Sequence, residues 1–147
     1  MRTHFAEVLA RESKCLAEVT DEAKLAGWRR RVVEELMTPL SPYVLAMRQT
    51  GDVPDRADFL DRWCELIAET IDRLLQSGTA GGTHPSSKSR RADVDAQKTA
   101  VLIIAALHGG STLSQISKDP WPLNAALDLA LAPFAAAMDN DAIGTMN

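Results

Sequence analysis

The chain has 147 residues, 46% of them hydrophobic and 24% charged, which suits one domain with a buried core and is the composition of a globular chain, not of a disordered one. Sixteen basic against twenty acidic residues leave a net charge of −4, which argues against a protein whose main work is gripping a phosphate backbone. Aromatics make up only 5% and alanine and leucine abound, so helices are expected over sheets.

In chain order, Phe5, Val8, Leu9 and Leu16 lie at helical spacings, predicting an amphipathic helix over Arg2 to about Glu18. Thr20 is the N-cap candidate for the next helix, with Asp21 and Glu22 in the first turn, where negative charge suits the helix dipole. That helix carries Leu25, Trp28, Val32 and Leu36 on one face; Arg29, Arg30 and Arg31 read as a solvated face within ion-pair reach of Glu34 and Glu35. Pro39 and Pro42 break it, and Ser41 followed by Pro42 restarts a short helix to about Gln49. Leu60, Trp63, Ile67, Ile71 and Leu74 draw one apolar stripe on a helix from about Asp55 to Gln76. Its Leu60, Trp63 and Glu69 echo Leu25, Trp28 and Glu34, a single repeated spacing that helical patterning alone can give. Residues 78–91 have almost no apolar side chain and read as a flexible surface loop with local positive charge at Lys88, Arg90 and Arg91.

The longest apolar run is Ala100 to Leu107. Eight apolar residues could form a buried strand, but the charged approach from Asp93 to Lys98 favours a helix, from about Ala92 to Ile116. The run is far shorter than the roughly 20 apolar residues that span a bilayer. A helix apolar on every side needs cover on every side, and a second copy of the same helix supplies it. Asp119 and Pro120 open a final helix with the stripe Leu123, Ala126, Leu127, Ala130, Leu131 and Phe134. Pro133 falls near its end, and 139–147 is expected to fray.

No catalytic constellation stands out. There is no phosphate-cradling Gly-Lys loop, no His-Glu-x-x-His and no glycine-flanked nucleophilic serine, so the chain is not expected to be an enzyme. Cys15 and Cys64 cannot build a disulfide framework or, alone, a zinc site; no metal and no cofactor are expected. Met1 to Ala10 already mixes Arg2, His4 and Glu7 into its apolar positions, unlike a secretory signal, and a reduced cytoplasmic protein is the default. His108, beside Gly109 and Gly110, reads as a hydrogen-bonded structural histidine.

The run from Ala100 through Leu107, His108-Gly-Gly and Asp119-Pro-Trp-Pro-Leu to Asp128, preceded by the helix from Phe59 to Gly78, resembles the end of TetR-type transcriptional regulators. The resemblance covers about Asp55 to Phe134 and rests on patterned apolar residues. It implies an all-helical effector-binding and dimerisation domain. The chain departs from that family in starting, at Met1, in what resembles the C-terminal domain, so operator binding is not carried over.

The expectation is therefore an all-α single domain of about six helices, the last two forming a four-helix bundle with a partner copy. The partners expected are a second chain and a small hydrophobic effector, with neither DNA nor membrane. A mostly apolar effector pocket is expected from Trp28, Met37, Tyr43, Met47, Trp63 and Ile67, large or adaptable side chains near the proline break. The dimer interface is expected at Ile104, His108, Ser111, Leu127, Leu131 and Phe134, with Ala105, Ala106, Gly109 and Gly110 permitting close approach. The alternative is a structural helical homodimer that binds another protein and no small molecule.

Overall fold

In the computed structural model, which describes residues 2–48, 53–77 and 93–145, six helices follow one another and no strand occurs among the described residues. They are α1 (Arg2–Ala17), α2 (Glu22–Met37), α3 (Pro42–Arg48), α4 (Val53–Ser77), α5 (Ala96–Ser117) and α6 (Trp121–Thr145). All six contribute to one core, so the chain is an all-α single domain. The expected 78–91 loop lies outside the described residues.

Side-chain caps decide where the helices begin. Asp21, and not Thr20, caps α2: its carboxylate accepts the Lys24 N–H at 2.8 Å, and Thr20 accepts only the Lys24 ammonium. Ser41 accepts the Val44 N–H at 3.2 Å, so Ser41 and Pro42 open α3 as expected. Asp95 accepts the Lys98 N–H and starts α5 at Ala96, four residues later than the apolar pattern suggests. Asp119 accepts the Trp121 N–H at 3.0 Å, and the buried Ser114 hydroxyl accepts that of Leu123 at 2.9 Å, which ties the start of α6 to the end of α5.

Two features depart from the sequence pattern. Over Ala106–Gly110 the helix α5 widens into a π-turn, one residue too many for the local α-helical pitch. It falls where Gly110 meets α6: a methyl group on Gly110 would stand 3.0 Å from the Leu123 Cα. The final helix continues as helical backbone past Met138 to Thr145, passing through Pro133. Pro133 and Leu129 are both exposed, so the Leu129 carbonyl that Pro133 leaves without a helical donor faces the solvent side.

Arginine pairing also differs from expectation. Arg29 reaches across to α6, donating to the Asn124 carbonyl at 3.0 Å and to Asp128 at 2.7 Å. Arg31 donates to the Cys15 sulfur at 3.1 Å, and Glu35 pairs with Arg11. The basic run thus clamps neighbouring helices and does not pair along its own.

By length and composition α5 could cross a membrane, but 44% of its apolar window is buried inside the bundle. Ala100, Ile103, Ala106 and Leu107 pack into the shared core, the arrangement of a core helix.

Candidate functional site

Three of the six residues expected to line an effector pocket, Trp28, Tyr43 and Trp63, come together around the Glu12 carboxyl group instead. Glu12 lies on the α1 stripe between Val8 and Leu16, at i+4 spacing from both, and is 1% exposed. Its Oε1 accepts the indole N–H of Trp28 at 2.9 Å and of Trp63 at 2.7 Å; its Oε2 accepts the Tyr43 hydroxyl at 2.9 Å. Four helices each supply one member. Tyr43 meets Trp63 edge-on at 5.9 Å, and Phe59 stacks on Phe5 at 4.6 Å and meets Trp63 at a tilt at 5.6 Å.

This arrangement corrects the pocket expectation. Trp28, Tyr43, Trp63 and Ile67 are buried and packed in the core, because a buried carboxylate needs donors and the two indoles and the phenol supply them. Among the described residues no cation pairs with Glu12. Desolvation raises its pKa above the ordinary carboxyl range, opposed by the hydrogen bonds of Trp28, Tyr43 and Trp63 and by the more distant Arg31 charge. Burial and the Glu12 charge push the Tyr43 phenol well above its usual range. Burial, with Asp61 and Glu65 nearby, raises the Cys64 thiol. The Glu12 centre is sealed from solvent and offers no room for a substrate. The faint echo between α2 and α4 gains a structural meaning here, since its two tryptophans donate to one oxygen atom.

Only Met37 and Met47 of the expected pocket reach open space, in two neighbouring surface clefts. One, of about 280 Å³, lies beside Met47, Arg48, His108 and Ser111; the other, of about 380 Å³, beside Met37, Leu40, Val44 and Lys118. They meet at Arg48 and Gln115. The Arg48 guanidinium donates to Gln115 Oε1 at 2.7 Å, and the Gln115 amide donates to the Leu36 carbonyl at 3.1 Å. His108 Nε2 stands 3.4 Å from Arg56, while its buried Nδ1 has no partner among the described residues. A guanidinium can only donate, so this contact uses the Nε2 lone pair and leaves the proton of a neutral ring on Nδ1. His108 is therefore only half satisfied, short of the hydrogen-bonded residue the sequence suggests.

The residues expected at a dimer interface lie mostly inside the domain. Leu127, Leu131, Phe134 and Ser111 are buried against their own chain, and Ile104 and His108 are half-buried. The final stripe, Leu127, Leu131 and Phe134 included, packs into the domain's own core. What remains outside is the opposite face. On α5 it runs through Val101, Leu102, Ala105, Gly109, Leu113 and Ile116; on α6 through Trp121, Leu129, Ala132 and Pro133. Leu129 is 77% exposed and Ile116 76%. There is no charged residue from Thr99 to Ser117, and Asp128 is the only one from Pro120 to Met138. Of the four small residues expected at a crossing, Ala106 and Gly110 face inward, and Ala105 and Gly109 face outward.

No group of three or more His, Cys, Asp and Glu side chains could hold a metal among the described residues. Comparison with protein families, with curated proteins and with solved structures finds no match.

Proposed function

We propose that this chain is a self-associating helical module, which pairs with a second copy through the outward stripes of α5 and α6 in a four-helix interface. The observation that carries the reading is the exposed face itself: large apolar side chains on two neighbouring helices, along segments almost without charge. Exposed large apolar side chains gathered on neighbouring helices mark an interaction site, and the core of an interface is depleted of charge. Such a stripe is complementary to itself, and a two-fold arrangement is the commonest closed solution. An acidic or basic partner would find no matching charge there.

This is the dimerising half of the role implied by the TetR-type resemblance, a cytoplasmic regulator's effector-binding and dimerisation domain without catalysis or DNA reading of its own. Arg29 and Arg31 are engaged within the chain, which leaves little for a phosphate backbone. The sensing half is supported by the clefts that flank Arg48, outside the filled interior.

Sedimentation of the wild-type chain at micromolar concentration should give the dimer mass. Leu129→Glu and Val101→Glu should each give a monomer of unchanged helicity, since both positions are exposed. A wild-type chain that stays monomeric across that range would remove the reading.

A further inference from the structure

We propose that the two clefts joined at Arg48 bind a small organic anion with an apolar body, its carboxylate on the Arg48 guanidinium and its hydrocarbon part along Met37, Leu40 and Val44. The proposal rests on the sensing reading and is independent of self-association.

Charge is the first argument. The chain carries twenty acidic residues and a net charge of −4, yet among the described residues none of the side chains lining either cleft is acidic, while Arg48 and Lys118 both line the second. Arg48 is exposed, and among the described residues its guanidinium meets only the neutral amide oxygen of Gln115. A carboxylate is a stronger and bidentate acceptor for the same planar fork. The Gln115 amide need not leave to admit it, because its own N–H group is held by the Leu36 carbonyl.

The apolar half is the second argument. Leu40 has a left-handed backbone, φ 63°, and is 76% exposed. A branched side chain is rare in that region and persists there only where the surroundings dictate it. Here the turn is fastened by the Ser41 N–H on the Thr38 carbonyl and the Ser41 hydroxyl on the Glu35 carbonyl. The result holds a leucine against solvent on the wall of a cleft that Met37 and Val44 also line. At about 280 and 380 Å³, the clefts match the lower end of small-molecule sites.

The test is calorimetric titration of the full chain with octanoate, octanol and acetate at physiological salt. Octanoate should bind at least tenfold more tightly than either of the others. Arg48→Gln should weaken octanoate at least tenfold and leave octanol unchanged; Leu40→Asp, at an exposed position, should weaken octanoate with helicity intact. Octanol binding as tightly as octanoate, or Arg48→Gln binding octanoate like wild type, would overturn the anion site while sensing of neutral apolar molecules survives. Acetate matching octanoate would overturn the apolar half. Binding of none of the three would remove both this proposal and the sensing reading.

Discussion

The two ends of this molecule handle polarity in opposite ways. Around α1 to α4, a charge sits in the middle of the core and three aromatic side chains are spent on solvating it. Around α5 and α6, charge is almost absent and apolar side chains stand in solvent. The first arrangement is closed: every donor has its acceptor, and replacing one member orphans the others. The second is open, because two helices that are apolar on nearly all sides cannot both be covered by one small bundle. Internal specificity is concentrated at one end and unfilled surface at the other.

The largest test of that contrast uses two leucines two residues apart. Leu127→Glu places a carboxylate among core side chains with no donor arranged for it, and should cost more than about 4 kcal/mol, enough to leave the chain unfolded or aggregated by circular dichroism and light scattering. Leu129→Glu, at an exposed position, should leave folding unchanged and weaken the proposed self-association. Equal damage from both would show that α6 is not divided into an inner and an outer face.

Glu12 gives the next effect. Glu12→Ala removes the acceptor from two indoles and a phenol and should cost about 3–5 kcal/mol in chemical denaturation. Glu12→Gln keeps an acceptor oxygen without the charge and should cost far less. It should also change the pH dependence. Because burial holds the folded Glu12 pKa above the ordinary value near 4.5, the native state binds this proton more tightly than the unfolded chain. The resulting stability is fully present below the unfolded value and is lost as pH rises through the raised folded value. Glu12→Gln should lack that loss, so its stability relative to wild type should improve as pH climbs through this window. A difference constant with pH would mean that the carboxylate is not held above its ordinary range.

The smallest and sharpest comparison lies within one dipeptide. A methyl group on Gly110 would meet the Leu123 backbone at 3.0 Å, whereas nothing lies within 4 Å of one on Gly109. Gly110→Ala should destabilise the fold by about 1–3 kcal/mol through forced separation of α5 and α6. Gly109→Ala should stabilise it by about 0.5–1 kcal/mol through helix propensity. Thermal melts of the two variants should therefore move in opposite directions, and movement in the same direction would contradict the crossing at Gly110.

Much of the fold was legible along the chain. The stripes through Trp28 and Trp63 predicted their helices, and Ser41-Pro42 and Asp119-Pro120 marked starts that the structure keeps. Glu12 was the missed signal: a charged residue at i+4 from both Val8 and Leu16, inside an apolar stripe, with three aromatic donors elsewhere awaiting an acceptor. The pocket expectation gathered the right aromatic residues but filled the space between them with a ligand and not with a carboxylate.

What the sequence determined by itself is the set of helices, since spacing, proline and capping act over a few residues and need no partner. Tertiary structure alone decided three things: that Glu12 lies at the meeting point of four helices, that the Leu123–Phe134 stripe turns inward while Leu129 turns outward, and that α5 widens into a π-turn at Ala106–Gly110. A helix with apolar residues on every side carries no periodic signal to say which face is covered. That choice depends on which neighbouring helix arrives against it, and in this chain α4 and α6 cover the inner side of α5 and leave Val101, Leu102 and Ile116 outside.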